Sequence, residues 1–294
     1  MDIVTVADDE GNTLEYKKYK EHVFPKLVRG NVQDQLAQVA QLQCRADDIL
    51  LCTYPKTGLH WTYNIVHMLV SGSATYLGSP RYLEFDDIAN IDSMPPRRVF
   101  ATHFEVCHLP EAMKCGTGKI INVLRNPKDV AVSYFCFLTS LNSPVYSGNF
   151  NGFLKFFLNE DFLFGNWFGA LKQWLDIRKT YPDMKTLTLH YEDMKRNKLQ
   201  NIYTLANFLE IPTGEDFLRQ VELNVEFSKM KIDHEHGPAG SDTFVNISNR
   251  GVLPIYRKGD IGDWKNWFTQ AQSEEFDRVY QQRMAGYDID FIYE

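Results

Sequence analysis

Short apolar runs alternate with longer helix-patterned segments along most of the chain. The apolar runs have the length and composition of buried strands and cover residues 49–54, 97–103, 118–126 and 184–194. Apolar positions at helical spacing occur at 60–72, from Pro127 onward, over most of 150–181, and at 197–211, 215–231 and 273–287. Strands that alternate with helices form a parallel sheet covered on both faces. The pattern therefore predicts an α/β fold, a central parallel β-sheet flanked by helices.

Two regions fall outside this alternation. Residues 1–47 are predicted to be a loosely ordered start with one helix at 32–43. Residues 232–262 are rich in Gly, Asn and Asp and are predicted to be a long loop, a feature that is usually functional inside a domain. Because no repeat, low-complexity tract or long linker interrupts the chain, we expect a single domain over residues 1–294.

Composition narrows the class of protein. Hydrophobic residues make up 44% and charged residues 23% of the 294 residues, as in globular proteins with a sizeable core. The formal net charge is -7, whereas nucleic-acid binders usually carry a basic surplus, so we expect no nucleic-acid partner. An anionic ligand would then need a locally positive pocket. Aromatic residues reach 14%, which fits an aromatic core and also a pocket that stacks flat rings.

The cysteines and the first residues indicate the compartment. The five cysteines are scattered, and no two of them form a CxxC pair. This pattern argues against a disulfide framework or a structural zinc site and favours a reducing compartment. The first 18 residues lack the layout of a signal peptide, and no apolar run is long enough to span a bilayer. We therefore expect a cytoplasmic protein without a membrane partner.

Three of the predicted strands end in residues suited to anion chemistry, namely Lys56, His103 and Arg125. Ligands of parallel sheets bind at the carboxyl ends of the strands, so these three residues are predicted to meet. Around Lys56, Pro55 and Gly58 form a turn that leads into a helix, whose first N–H groups favour an anion. An ordinary strand-to-helix turn with a surface lysine remains the alternative for this segment by itself.

Two further segments carry cations that could bind phosphate. Arg125 is followed by Ser133 two helical turns later, and Arg257 and Lys258 precede Gly259 on a predicted loop. Arginine binds phosphate through two parallel hydrogen bonds, and a backbone N–H at glycine adds a third donor. A capping arginine and a solvated basic turn are the alternatives for each segment alone.

Taken together, four motifs resemble those of the cytosolic sulfotransferase family. "TYPKTGLHW" (53–61) resembles the family pattern TYPKSGTTW, and "RNPKDVAVSYFCF" (125–137) resembles RNxKDVAVSYYxF. "YEDM" (191–194) and "RKGDIGDWKNWFT" (257–269) match nearly letter for letter. The order and spacing also agree, and the resemblance covers nearly the whole chain.

The resemblance implies a donor, a reaction and a set of binding residues. The family uses 3′-phosphoadenosine 5′-phosphosulfate (PAPS), moves its sulfuryl group to a hydroxyl or amine of a small acceptor such as a phenol, catecholamine or steroid-like compound, and leaves adenosine 3′,5′-bisphosphate (PAP), without a metal. The cofactor-binding residues that it implies here are Lys56, Thr57, Gly58, Leu59, His60, Trp61, Arg125, Ser133, Tyr191, Phe227, Arg257, Lys258 and Gly259.

The resemblance also assigns roles. The catalytic residues that it implies are His103, Lys56 and Ser133. Lys56 would stabilise the leaving phosphate oxygen, and His103, whose segment resembles the family's KTHLP, would take the proton of the acceptor. Trp61 and Phe227 would cover the two faces of the adenine, with Tyr191 at its edge. The 3′-phosphate would be bound by Arg125, Ser133, Arg257, Lys258 and Gly259. His108 does not align with the base and is interpreted as structural.

Several positions depart from the family pattern. Two loop threonines are replaced by Leu59 and His60, the lysine of KTH by Ala101, and a threonine near the adenine by Val225. His60 could still donate a hydrogen bond, best when protonated. Each hydrogen bond lost to a charged ligand costs about 1.5–3 kcal/mol. An alternative function is therefore a weak or inactive sulfotransferase-fold protein that binds PAP or a small aromatic ligand.

Two other possibilities stay open at this stage. A P-loop kinase would share the sheet topology, but the GxxxxGK[ST] loop and an obvious metal-binding carboxylate are missing from the sequence. The family's dimer motif KxxxTVxxxE corresponds to Lys265–Glu274, where Gln270 replaces valine. The resemblance leaves a homodimer possible, with a polar residue at an apolar position.

Overall fold

The computed structural model describes residues 3–141, 145–236 and 254–294. Its strands form two separate sheets. In chain order the strands are β1 (Ile3–Ala7), β2 (Thr13–Tyr19), β3 (His22–Pro25), β4 (Ile49–Cys52), β5 (Val99–Thr102), β6 (Lys119–Leu124) and β7 (Thr186–His190).

The central sheet has four parallel strands in the spatial order β5–β4–β6–β7. Ile49 pairs with Val99 on one side and with Lys119 on the other, so β4 lies in the middle. All four residues of β4 are buried, as expected of a parallel strand covered on both faces. The predicted α/β fold is confirmed. Each strand is shorter than its apolar run, and the strand predicted at 184–194 is wrong at 191–194, where a helix over Tyr191–Arg196 begins directly after β7.

The first strands correct the prediction of a loosely ordered start. β1, β2 and β3 form an antiparallel meander, with Val4 opposite Tyr16 and Lys17 opposite Phe24. Only one face of β2 is buried, at Leu14 and Tyr16. The apolar residues therefore alternate with charged ones, and this half-buried pattern was mistaken for a polar, irregular segment.

Helices cover both faces of the central sheet. In the described residues they are α1 (Val32–Ala40), α2 (Leu59–Ser71), α3 (Ile88–Asp92), α4 (Glu111–Lys114), α5 (Pro127–Thr139), α6 (Phe150–Phe157), α7 (Trp167–Leu175), α8 (Ile177–Thr180), α9 (Tyr191–Arg196), α10 (Lys198–Phe208), α11 (Glu215–Asn224), α12 (Phe227–His236) and α13 (Gln270–Arg283). Alternate residues of β4 enter different cores: Ile49 and Leu51 pack with α2, α10 and α11, and Leu50 and Cys52 pack with α1 and α4.

Local sequence explains where the helices of the site begin and end. α2 begins after Gly58 and ends at Gly72, both with positive φ. α5 starts at Pro127, whose missing N–H costs nothing in a first turn, and the Asn126 side chain accepts a hydrogen bond from the Asp129 N–H. These caps fix the directions in which the two helices leave the carboxyl edge of the sheet.

The prediction of a loop over residues 232–262 is partly wrong. Residues 232–236 complete α12, and the Met230 side chain of that helix is fully buried. The segment 237–253 lies outside the described residues. From residue 254 onward the chain returns to the carboxyl edge of the sheet, where it contributes to the site.

Candidate functional site

One cavity lies at the carboxyl edge of the central sheet. The three strand-end residues Lys56, His103 and Arg125 all line it, after β4, β5 and β6 respectively. The loop that follows residue 254 closes another side through residues 255–260. Parallel strand topology thus brings together side chains that are up to 69 positions apart in sequence, since Arg125 donates to the Lys56 carbonyl oxygen.

The turn after β4 uses two residues with positive φ. Lys56 has φ +70° and Gly58 has φ +117°. A Cβ at position 58 would lie 2.8 Å from Tyr191 Cδ2, so glycine is required by space as well as by conformation. The N–H groups at the start of α2, which follows at once, have no helical partner and favour an anion.

Two of the predicted loop residues, Thr57 and Leu59, have buried side chains. Thr57 is buried and does not line the cavity, because its hydroxyl donates to the Tyr54 carbonyl oxygen at 2.9 Å. Leu59 is 3% exposed and belongs to the core that includes α2. Only its backbone N–H remains available where the family pattern has a hydroxyl.

His60 lines the cavity with a neutral ring. Its Nε2 lies 2.7 Å from the Tyr82 hydroxyl, while its buried Nδ1 has no hydrogen-bond partner in the described part of the chain. Burial, and secondly the Lys56 charge, hold the pKa of His60 well below its ordinary value. The expectation that His60 donates best when protonated therefore does not suit this environment.

Lys56 occupies a site that disfavours its charge. Its Nζ lies 4.2 Å above the Phe137 ring. Burial lowers the pKa of Lys56 to about 7, and the Arg125 charge contributes in the same direction. A bound anion would reverse this effect by favouring the protonated amine.

His103 is held in one tautomer. Its Nδ1 lies 2.9 Å from the Thr53 carbonyl oxygen, which can only accept, so Nδ1 carries the proton and Nε2 has the free electron pair. Burial lowers the pKa of His103 to about 4, with the Lys56 charge acting in the same direction. The ring is therefore a neutral proton acceptor at pH 7.

Glu84 supports the backbone at His103 and was not predicted from the sequence. Its carboxylate is fully buried and accepts hydrogen bonds from the Thr102 hydroxyl and the His103 N–H, both at 2.8 Å. Burial raises the pKa of Glu84 to about 8. An acidic residue between apolar residues, as in "RYLEF", is the sequence signal that could have pointed to Glu84.

Arg125 is oriented by two backbone carbonyls and one ring. Its guanidinium donates to the carbonyl oxygens of Lys56 and Asp260, each at 3.1 Å, and its carbon lies 4.3 Å above the Tyr191 ring. Its buried Nε has no hydrogen-bond partner among the described residues. Ser133, which also lines the cavity, has no hydrogen bond from its hydroxyl in the same described ranges.

Aromatic side chains form another wall. Trp61 Nε1 donates to the Val225 carbonyl oxygen at 3.0 Å, and the Trp61 ring meets Tyr191 edge to face at 5.6 Å. Tyr191 donates its hydroxyl hydrogen to the Gly259 carbonyl oxygen at 2.9 Å. Phe227 packs directly on Gly259, where a Cβ would lie 2.3 Å from Phe227 Cδ2. The position can therefore only be glycine while Phe227 keeps its place.

Arg257 and Lys258 are both paired with one carboxylate. Asp263 accepts a hydrogen bond from each at 2.5 Å. Although burial opposes the shift, the bonds from Lys258, Asn266 and Arg257 hold the pKa of Asp263 far below its ordinary value. Asp263 was not singled out from the sequence, because a carboxylate six positions from an arginine on an irregular loop gives no spacing signal.

The electrostatics of the cavity differ from those of the whole chain. The carboxylates of Glu226 and Asp260 line the cavity, but so do six basic side chains. These are Lys56, Arg125, Lys195, Lys198, Arg257 and Lys258. The net charge of the chain is -7, so the expected locally positive pocket is present at the carboxyl edge of the sheet.

The remainder of the cavity wall is apolar and aromatic. The rings of Tyr82 and Phe164 each lie 5.5 Å from the His103 ring. Other apolar lining residues in the described ranges include Phe85, Tyr134, Phe137, Leu138, Leu163 and Ile255. This half suits a small, largely apolar molecule with a polar group near His103.

Ala101 and Val225 mark where the family pattern is interrupted. The Ala101 side chain is fully buried in the core with Leu51 and Ile121, so no second cation lies on β5 before His103. Val225 is buried in the same core and offers only its carbonyl oxygen to the site.

In the part of the chain that the structure describes, no helix combines the length and apolar character needed to cross a bilayer.

Comparisons with known proteins agree with the fold. A family model described as "Sulfotransferase domain" matches residues 46–288. Rat sulfotransferase 1C2 is 30% identical over 276 residues, covering 89% of this chain and 91% of that protein. Mouse sulfotransferase 1A1 is 32% identical over 274 residues, covering 88% and 91%.

Solved structures give the same result. The crystal structure of mouse sulfotransferase SULT7A1 complexed with PAP superimposes with a TM-score of 0.78 at 28% identity, covering 93% of this chain and 96% of that chain. A retinol dehydratase in complex with retinol and PAP gives a TM-score of 0.73 at 19% identity, covering 99% and 92%, which supports the fold alone. On the sequence match and the fold together, this chain belongs to the sulfotransferase family.

Proposed function

We propose that the protein transfers a sulfuryl group from PAPS to a hydroxyl or amine of a small acceptor, of the phenol, catecholamine or steroid-like class, and releases PAP. The observation that carries this proposal is the convergence of Lys56, His103 and Arg125 with Trp61 and Phe227 around one cavity. The PAP complex of the mouse structure supports the donor class.

The donor half of the cavity fits an adenosine bisphosphate. Arg125 has an unpartnered buried Nε and Ser133 an unpartnered hydroxyl within the described residues, so both can add hydrogen bonds to a 3′-phosphate. Phe227 and Trp61 present rings to an adenine. Gly259, on which Phe227 packs, adds a backbone N–H.

The basic loop must change partners when a phosphate binds. Arg257 and Lys258 share the Asp263 carboxylate, and a dianionic phosphate competes with it for their N–H groups. We propose that Asp263 holds both cations in place before binding and then shares them with the phosphate.

The transfer step uses two side chains. The donor supplies an activated sulfuryl group with a phosphate as leaving group. His103 Nε2 accepts the proton of the acceptor hydroxyl while that oxygen forms a bond to sulfur and the bond between sulfur and the phosphate oxygen breaks. Lys56, as the ammonium, stabilises the charge that appears on the phosphate oxygen. No metal takes part in this scheme.

A second candidate function rests on Ala101 and Leu59. Each replaces a polar side chain of the family pattern with a buried apolar one, so the phosphosulfate has fewer charged or hydroxyl partners. A protein with this site could bind PAP and turn over slowly or not at all. We favour the enzyme because Lys56, His103, Arg125 and the 257–259 loop are all retained around one cavity.

The acceptor is assigned only as a class. Part of the loop predicted at 232–262 falls outside the described ranges, while α12 and Tyr256 adjoin the cavity. We place the reaction in the cytoplasm, as the cysteine pattern favours. A homodimer also remains a prediction. In this chain the Gln270 side chain, at the altered position of the dimer motif, donates to Glu274 on its own helix at 2.8 Å.

Two measurements test the proposal and separate the two functions. The first incubates the protein with sulfur-labelled PAPS and a panel of phenols, catecholamines and steroids and looks for labelled acceptor. The second measures PAP binding by calorimetry. Binding with transfer supports the enzyme, binding without transfer across the panel supports the alternative, and no PAP binding rejects both.

A further inference from the structure

Four side chains of the kind that bind zinc lie together outside the cavity. They are His22 on β3 and Glu105, Cys107 and His108 just after β5. One potential ligand atom from each of the four lies within 4.8 Å of those of the other three. Imidazole, thiolate and carboxylate are the protein ligands that zinc prefers, and four of them complete a tetrahedral site.

The spacing is near that of a closed site. Zinc bonds of about 2.0–2.3 Å place neighbouring tetrahedral ligand atoms about 3.3–3.8 Å apart. The His22 Nδ1 and Glu105 Oε2 atoms are already 2.5 Å apart, and the rings of His22 and His108 are 4.4 Å apart. Shifts of about 1 Å, within the reach of side-chain rotation, would bring the four atoms to bonding distance.

Hydrogen bonding within the described residues does not account for two of the four groups, although the His108 ring also packs against Phe24 and Phe104. The ion pair of His22 with Glu105 accounts for two side chains. The Nε2 atom of His108 is buried and has no hydrogen-bond partner in residues 3–141, 145–236 or 254–294. Cys107 is exposed and is a free thiol. A salt bridge alone therefore explains only half of the cluster, whereas a metal would use all of it.

A neighbouring side chain orients the carboxylate. Gln173 on α7 donates its amide N–H to Glu105 Oε1 at 2.8 Å, and its amide oxygen accepts from the Val106 N–H at 3.1 Å. This contact fixes the segment that carries Glu105 and leaves Oε2 facing His22. Outer partners of this kind are typical of metal sites, where they hold ligands in position.

We propose that His22, Glu105, Cys107 and His108 form a zinc-type divalent metal site. With one thiolate and one carboxylate, the ligand set neutralises a divalent ion. The site joins β3 of the N-terminal meander to the segment that starts at His103, which follows β5. A bound metal would therefore link the two separate sheets. The sequence pattern does not indicate this site, because its ligands lack CxxC spacing and only the fold brings His22 to the other three.

Zinc and cobalt titrations of the full-length protein test the site. The protein is first treated with chelator and dialysed, and is then titrated with zinc or with cobalt. We expect it to bind one zinc per chain by elemental analysis, and we expect the cobalt form to show a thiolate charge-transfer band. Cys107→Ser should remove the band and lower zinc affinity by more than about 10–100-fold, the range seen for loss of an outer partner. Gln173→Leu should keep the band and weaken binding about 10–100-fold.

Matched variants separate the site from surface binding. Cys115→Ser removes another exposed cysteine, and His236→Ala removes an exposed histidine, and neither should change the stoichiometry or the spectrum. His22→Gln should bind as poorly as Cys107→Ser, and near-native circular dichroism of both variants would show that they fold. Substoichiometric zinc in the native protein, or equal binding by Cys107→Ser and Cys115→Ser, would overturn the proposal.

Discussion

At the scale of single residues, the charge of Lys56 depends on what fills the cavity. Burial lowers its pKa to about 7, and the nearby Arg125 reinforces the shift. Binding of a phosphate dianion favours the ammonium and moves the pKa back up. Lys56, which we propose acts as the ammonium during transfer, is thus close to half neutral at pH 7 before the donor binds.

This balance predicts proton uptake on PAP binding. At pH 7.5 the free protein holds Lys56 about three-quarters neutral, so binding should take up about three-quarters of a proton. Because the depressed pKa lies near 7, the uptake should disappear below about pH 6, where Lys56 is already charged. Calorimetry in two buffers of different ionisation enthalpy measures it. Lys56→Met should bind without uptake, and equal binding heats for the native protein in both buffers would contradict the assignment.

A second residue-scale prediction concerns Gly259. Alanine there adds a Cβ that meets Phe227 at 2.3 Å, in addition to the strain of φ +72°. We expect Gly259→Ala to weaken PAP binding by about tenfold or more, because a displaced Phe227 loses its stacking, worth about 1–3 kcal/mol per base.

Gly286→Ala is the matched control for this substitution. Its φ of +87° imposes similar strain, but nothing lies within 4 Å of the added Cβ. If both variants lost the same stability and neither lost PAP affinity, the contact between Gly259 and Phe227 would have no part in the site.

Residue types at the strand ends were predictable, while their hydrogen bonds were not. Lys56, His103 and Arg125 follow apolar strands, and parallel topology brings strand ends together. The inward hydroxyl of Thr57 and the bond from His60 to Tyr82 depend on backbone angles and on distant loops, which sequence spacing does not encode.

At the scale of elements, Asp129 connects α5 to the basic loop. Its carboxylate accepts hydrogen bonds from the N–H groups of Gly262 at 2.8 Å and Trp264 at 3.0 Å, and also from Asn126. These bonds fix the loop that carries Arg257 and Lys258 against the helix that carries Ser133. One buried carboxylate in the "RNPKDVAVS" motif therefore positions the side chains that we propose bind the phosphate.

Asp129→Ala should therefore loosen the basic loop. Two backbone N–H groups would lose their partner, at about 1–3 kcal/mol each where buried. We expect a lower free energy of unfolding by urea titration and weaker PAP binding, with little change in Asp288→Ala, which removes an exposed carboxylate. Unchanged PAP affinity in Asp129→Ala would show that the loop is held by other contacts.

Sequence patterns predicted the buried elements better than the exposed ones. β4, β5 and β6 were found because apolar residues dominate them, whereas β7 alternates threonine with leucine. The meander β1–β3 was missed, since all five residues of β1 are at least partly exposed and charged residues fill one face of β2. The single helix predicted at 215–231 is two helices, α11 and α12, and α12 continues to His236 although its last turn, "DHEH", has no apolar residue to continue the helical spacing.

At the scale of the whole molecule, the two ends of the central sheet differ in structure and in expected function. The carboxyl end forms the cavity, while at the amino end Arg98 and Asp48 form a fully buried ion pair with contacts of 2.5 and 2.8 Å. Asp48 immediately precedes β4 and Arg98 precedes β5. The pair therefore joins two neighbouring strands far from the strand-end chemistry.

Breaking this pair should reduce stability without changing the site. Asp48→Ala removes the buried carboxylate that pairs with Arg98 and leaves the half-exposed Asp92 as its ion-pair partner, so the cost should approach the value of about 3–5 kcal/mol typical of a broken buried pair. Asp47→Ala, one residue earlier and exposed, should cost little. Urea unfolding measures the difference, and PAP affinity at a temperature where both variants are folded should stay at the native value. A large loss of affinity in Asp48→Ala would mean that the two ends of the sheet are coupled.

The central claim is that His103 removes the proton of the acceptor during sulfuryl transfer. The most direct measurement compares the native protein, His103→Ala and His67→Gln for transfer of sulfur label from PAPS to the best acceptor of the panel. We expect His103→Ala to lose about 10²-fold or more in kcat while its PAP affinity by calorimetry stays near native. His67, on α2 and outside the cavity lining, serves as the matched histidine and should transfer normally. Equal kcat for His103→Ala and the native protein, or no transfer by the native protein to any acceptor, would contradict the account.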